Sequence, residues 1–167
     1  MPTPADIEIE AARLAGKLGR PAPRIIFDPD RSLADSQLEI VTGRLRYGND
    51  LLGLPSPEWE VVVAHEIGHM RQKTVMVLFL IGLVAALAVI GAALAGVISA
   101  MSPYPLWVLA VVLIVGPLVL AWREFDADRF AADQFGSATV AQSYLRLISS
   151  GSMKTDPFFR LRIRVLR

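Results

Sequence analysis

From Thr74 to Trp122 the chain runs for 49 residues without one charged side chain. A run of that length and composition demands an apolar solvent. A membrane helix takes about 20 residues, so the run fits two spans rather than one. Ser102-Pro103-Tyr104-Pro105 supplies its turn-rich break, which places the spans near 75–99 and 105–122. Tyr104 and Trp107 fall at one expected interface and Trp122 at the other, where amphipathic rings prefer to sit. Gly91, Ala95 and Gly96 are small enough to let the two helices approach. Arg71 and Lys73 precede the first span, Arg123 and Arg129 follow the second, and the turn between carries no charge. The positive-inside rule then puts both termini in the cytoplasm. The first twenty residues agree, since Asp6, Glu8, Glu10, Arg13 and Lys17 leave no apolar stretch resembling a signal-peptide core.

Composition narrows the rest. With 53% hydrophobic residues the 167-residue chain is too apolar for an ordinary soluble domain. Its net charge of +1 offers no field for nucleic acid, which is excluded as a partner. It has no cysteine, so a metal would have to be held by His, Asp and Glu. Removing the hairpin, 74–122, leaves 73 residues before it and 45 after it, each too short for a comfortably stable domain. The expectation is therefore one domain in two halves, 1–73 and 123–167, split by the hairpin: a mainly helical α+β fold with a small sheet.

Locally, Ile7, Ala11, Leu14 and Leu18 keep helical spacing over Asp6 to Leu18, and Gly19-Arg20-Pro21 ends the helix. Arg24 to Asp28 reads as a short strand, and Gln37 to Thr42, bounded by Gly43, as a second strand or hairpin. Ser56-Pro57-Glu58 reads as an N-cap, a proline in the first turn and an acid where the helix dipole favours it, opening a helix to about Lys73. Further helices are expected over Arg123 to Phe135, stopped by Gly136, and over Val140 to Ile148.

The helix from Pro57 contains His65-Glu66-Ile67-Gly68-His69, and these are the only two histidines in the chain. Residues four apart share a helical face, so both imidazoles can reach one zinc ion, with Glu66 beside it as general base. Gly68 is a poor helix former at that point, which suggests the close approach of a neighbouring element. Catalytic zinc takes a third protein ligand. Immediately after the second span comes Arg123-Glu124-Phe125-Asp126-Ala127-Asp128, in which Glu124 and Asp128 share a face. Glu124 is the candidate third ligand, and Asp128 the candidate hydrogen-bond partner of a ligating histidine. The competing reading of this cluster is a solvated acidic helix start paired with Arg123 and Arg129.

His-Glu-Ile-Gly-His, a two-span hairpin and Arg-Glu-Phe-Asp-Ala-Asp, in that order, resemble the HtpX-type membrane metalloproteases, kin to the CAAX prenyl endopeptidases. The resemblance runs from about residue 23 to the C-terminus and is to a minimal form, without the additional N-terminal spans usual in that family. It implies a gluzincin, with one Zn2+ on His65, His69 and Glu124, Glu66 as base, and a prokaryotic plasma (inner) membrane as the setting. Asp156-Pro157 and Arg162-Ile163 resemble the family's His-Pro-x-x-x-x-Arg-Ile segment with aspartate in place of histidine, which implies Arg162 as a residue stabilising the oxyanion or the substrate. Tyr144 is a second, weaker candidate. The plainer reading of Phe158 to Arg167 is an amphipathic helix whose Arg160, Arg164 and Arg167 face lipid headgroups or water.

The expected activity is thus hydrolysis of membrane or membrane-associated polypeptides by metal-activated water at the cytoplasmic face. The substrate would lie extended against a sheet edge, with Leu38, Ile40 and Thr42 as the candidate strand. A catalytically silent zinc-binding membrane regulator or adaptor is the alternative, since a metal can serve only to clamp a split domain.

Overall fold

The computed structural model describes residues 1–30, 32–33, 37–39, 42–96, 104–153 and 156–167. It separates into two compact units, Met1–Arg71 with Glu124–Arg167, and Gln72–Arg123.

The first unit opens with α1 (Pro4–Lys17). The helix starts two residues before its apolar periodicity does, because Thr3 and Asp6 form a reciprocal capping box. The Thr3 hydroxyl accepts from the Asp6 amide at 3.2 Å, and the Thr3 amide donates to the Asp6 carboxylate at 2.8 Å. Ile7, Ala11, Leu14 and Ala15 are buried along one stripe, packed against α2 (Glu58–Gly68).

Between these helices lies a three-stranded sheet of order β1-β3-β2: β1 (Arg24–Asp28), β2 (Gln37–Glu39) and β3 (Arg44–Gly48). β3 is central, parallel to β1 with Ile25 opposite Leu45, and antiparallel to β2 with Leu38 also opposite Leu45. Of the strand or hairpin expected over Gln37 to Thr42, the structure has the hairpin, β2 running antiparallel to β3, and the range itself holds only its first arm and turn. β2 is described to Glu39, Ile40 lies outside the described residues, and Thr42 sits in the turn, its hydroxyl donating to Glu39 at 2.5 Å. Gly43, at a φ of 66°, closes that turn, its amide donating to the Glu39 carbonyl at 2.8 Å. β2 is an edge strand, and it lies beside α2.

α2 begins at Glu58 with no side-chain cap. The Ser56 hydroxyl expected to cap it donates instead to the Glu60 carboxylate at 2.8 Å, and Pro57 takes the cap position. Regular α-helix ends at Gly68 rather than near Lys73, and a single 3-10 turn, His69–Gln72, leads into α3 (Lys73–Leu94). Every residue from Val61 to Gly68 is buried. α2 is the central helix of this unit, in contact with α1, β2 and α5 (Ser137–Ser149).

α3 and α4 (Tyr104–Phe135) contain stretches long and apolar enough to cross a membrane. Residues 97–99 of the first expected span, and Ser102 and Pro103 of the expected turn, lie outside the described residues. Side chains on both helices are broadly exposed, among them Leu78, Val84, Leu106 and Leu113, all above 60%. Leucines in that number facing outward suit lipid, not water. The helix expected over Arg123 to Phe135 is the C-terminal part of α4 rather than an element of its own. Gly136, at a φ of 86°, turns the chain into α5, and α6 (Pro157–Leu166) follows.

Candidate metal centre

α2 and the 3-10 turn after it carry His65, Glu66 and His69, all buried. One ligand atom from each of the three lies within 4.8 Å of the others. Burying three polar side chains on one turn is costly unless each is satisfied by specific partners. The closing partner is the last part of α4. Gly68 makes that approach possible: a Cβ there would stand 2.9 Å from the Ala127 Cα and 3.1 Å from its carbonyl oxygen. The expected close neighbour is therefore the helix that bears Glu124 and Asp128.

Glu124 reaches both histidines. Its Oε2 is 3.3 Å from His65 Nε2 and its Oε1 is 3.6 Å from His69 Nε2. Ligand atoms about 2.0–2.2 Å from a tetrahedral zinc stand roughly 3.4 Å from one another. The two spacings fit that figure, and the donor set of two imidazoles and one carboxylate suits the ion chemically. Formally, Glu66, Glu124 and Asp128 against Arg162 leave two negative charges in the cluster, which matches a divalent cation.

Asp128 lies behind His65. Its Oδ1 is 2.9 Å from His65 Nδ1, and it accepts from the Tyr144 hydroxyl at 2.7 Å. Arg162, from α6, grips the same carboxylate with two bonds of 2.6 Å, Nε to Oδ2 and Nη2 to Oδ1. Its remaining nitrogen, Nη1, donates to Glu124 Oε2 at 3.0 Å. Four elements, α2, α4, α5 and α6, thus meet on one buried carboxylate. With His65 Nδ1 turned to Asp128, Nε2 faces Glu124, the tautomeric arrangement an imidazole needs to ligate through Nε2.

The titration behaviour follows from these contacts. Burial alone would push the His65 pKa down, but the Asp128 and Glu124 carboxylates outweigh it and raise it to about 9. Glu124 is pushed up by burial and held down to about 2 by His65, His69 and Arg162. Asp128 is likewise kept below the usual carboxylate range against its burial, chiefly by Arg162 and His65. The field that keeps a proton on His65 is the field that would hold a metal ion in its place.

Arg162 faces inward, 7% exposed, whereas Arg160, Arg164 and Arg167 face outward. The amphipathic reading of this helix therefore holds for three of its arginines and not for the fourth. Asp156, which stands where the resemblance has histidine, caps α6: its carboxylate accepts from the Phe159 amide at 2.7 Å. An Asp-Pro pair opening a helix is a readable N-cap signal.

Three participants escaped the sequence reading. Tyr144, considered only for the oxyanion, holds Asp128. Buried Glu58, at the start of α2, accepts from Arg146 of α5 at 2.9 Å. Tyr47 of β3 is fully buried with its pKa raised, by that burial and by the charge of Glu66. Its signal was the alternation of Leu45 and Tyr47 with Arg44 and Arg46.

No curated protein and no solved structure matches the chain. The model of peptidase family M48 does, over residues 43–167. The match takes in α2, α4, α5 and α6, the elements whose side chains meet around His65 and Asp128, and leaves out α1, β1 and β2. M48 peptidases are zinc-dependent, in keeping with a cluster whose spacing already suited that ion. The chain belongs to peptidase family M48, a family of metalloproteases.

Proposed function

We propose that this chain is a zinc-dependent endopeptidase that cuts membrane or membrane-associated proteins at the cytoplasmic face, with both termini on that side. The observation that carries the reading is the placement of both Glu124 oxygens, 3.3 and 3.6 Å from the two histidine Nε2 atoms. His65, His69 and Glu124 would hold the ion. When bound, zinc would supply Lewis acidity, lowering the pKa of water toward ~7 and polarising the scissile carbonyl. Glu66, one residue from His65 and turned into the same cluster, takes the proton of the attacking water and returns it to the leaving amine. Asp128 holds the His65 ring in register. Arg162 and Tyr144 hold Asp128, so we assign Arg162 to positioning rather than to the oxyanion, each of its three nitrogens donating to a carboxylate. An extended substrate adds to the outer edge of β2, the edge strand of the sheet, beside α2, through backbone hydrogen bonds.

The test measures zinc content and cleavage of a membrane-protein substrate in parallel for the wild type, Glu66→Gln and Glu124→Ala. Glu66→Gln should keep its zinc and lose cleavage, whereas Glu124→Ala should lose both. Full activity in Glu66→Gln would remove the assigned base. Zinc in a wild type that cuts nothing would favour the regulator.

A further inference from the structure

α6 has two faces with unrelated jobs. Phe159, Arg162, Ile163 and Leu166 point inward. The outward arc carries Arg160, Arg164 and Arg167 on one side and Leu161 and Val165 on the other, as the 100° step of a helix dictates. Leu161 is 48% exposed and Val165 66%. No acidic residue occurs from Pro157 to Arg167, and none lines the groove that Arg160, Arg164 and Arg167 form with Leu145 and Ile148 of α5. Elsewhere in this unit Arg13, Arg46, Arg71 and Arg146 each have an acidic partner. Arg164 and Arg167 have none among the described residues.

Single exposed aliphatic side chains are ordinary on a soluble surface. A helix face that sets aliphatic residues beside arginines such as Arg164 and Arg167, which have no acidic partner among the described residues, is the pattern of a helix lying in a membrane interface. Guanidinium forks match phosphate oxygens in geometry and charge. We infer that the outer face of α6 docks on anionic phospholipid, Arg164 and Arg167 on the headgroup phosphates and Leu161 and Val165 toward the acyl chains. This rests on the hairpin entering a bilayer, which joins the unit to the membrane at both Arg71 and Glu124, and does not depend on the site cutting peptides. The inner face of the same helix delivers Arg162 to Asp128 and Glu124, so the lipid contact acts on an element of the metal site.

The chain has no cysteine, so Val165→Cys gives the full-length protein a single site for a nitroxide label. The label is read by collision with oxygen and with a polar nickel chelate. Samples are nanodiscs of phosphatidylcholine alone and nanodiscs in which phosphatidylglycerol replaces part of it. Docking predicts more oxygen and less nickel contact in the anionic discs, reversed by high salt. Each arginine should contribute roughly fivefold to surface occupancy, so Arg164→Gln with Arg167→Gln should abolish the shift. Equal accessibility in both discs, or a shift that survives the double substitution, would overturn the docking. So would the same response to soluble glycerol phosphate over neutral discs, which would make this a free-anion site. A chain that fails to enter nanodiscs would overturn the membrane reading and the docking with it, and a chain that docks without cleaving would leave the docking standing.

Discussion

The two units use charge in opposite ways. Gln72–Arg123 keeps charge out of all but its ends, so its helices are specified by the solvent they need and little by one another. The other unit buries Glu58, Glu66, Asp128 and Arg162 at 7% exposure or less and is specified by who meets whom. A hydrophobic helix tolerates many sequences. A buried carboxylate with three donors tolerates very few, because removing a partner strands the others in a medium that solvates them poorly. The same polypeptide should therefore respond very differently to substitution in its two regions.

The sharpest break in that contrast is Asp128→Ala. It leaves Arg162 and His65 without their shared partner and should destabilise the metal-free protein by about 3–5 kcal/mol, read by chemical denaturation. Next is Val84→Arg in the middle of α3, which should cost about 2.5–3.5 kcal/mol in a membrane-insertion assay. Arginine at exposed Glu8 of α1 should change stability by less than about 0.5 kcal/mol. Two glycines give a finer comparison. Gly68→Ala drives a methyl into Ala127 and should destabilise by about 1–3 kcal/mol, whereas Gly91→Ala meets nothing within 4 Å and should stabilise α3 slightly. A further effect is graded by pH. His65 is raised to about 9, so near neutrality a proton must leave before the metal enters, and zinc affinity should climb roughly tenfold per pH unit up to that value. In the metal-free protein the sign is reversed. The stability due to protonated His65 is complete below its ordinary pKa of 6.5 and lost as pH rises through about 9. A competing chelator titration across that range checks the first statement, and denaturation across it the second.

What the sequence made legible follows the same division. The hairpin could be read from missing charge alone, and α1 from its spacing. His65, Glu66 and His69 were readable because four residues make one helical turn, and Glu124 with Asp128 for the same reason. Local periodicity carries that much. It does not say that Arg162, 34 residues on, turns inward to Asp128, or that Glu58 finds Arg146 across 88 residues. Those pairings depend on how α5 and α6 pack on α2 and α4. β3 was missed for a different reason: it lies beyond Gly43, the expected boundary, although Leu45 and Tyr47 alternate with Arg44 and Arg46 into the core. Ser56 misled because a hydroxyl four residues from a glutamate can serve that side chain instead of the helix end.

At the root of the hairpin the Gln72 side-chain amide donates to the Arg123 carbonyl at 2.8 Å. The two points where the chain leaves and re-enters are thus neighbours, and everything between them is a detour. Circular permutation and domain insertion succeed at such places because a short connector can replace whatever the ends enclose. Excising the apolar stretch and bridging Gln72 to Arg123 with a few glycines and serines would ask little of the remaining chain. The hairpin is then best regarded as a replaceable cartridge, and its removal as a way to take the exposed apolar faces of α3 and α4 out of the protein.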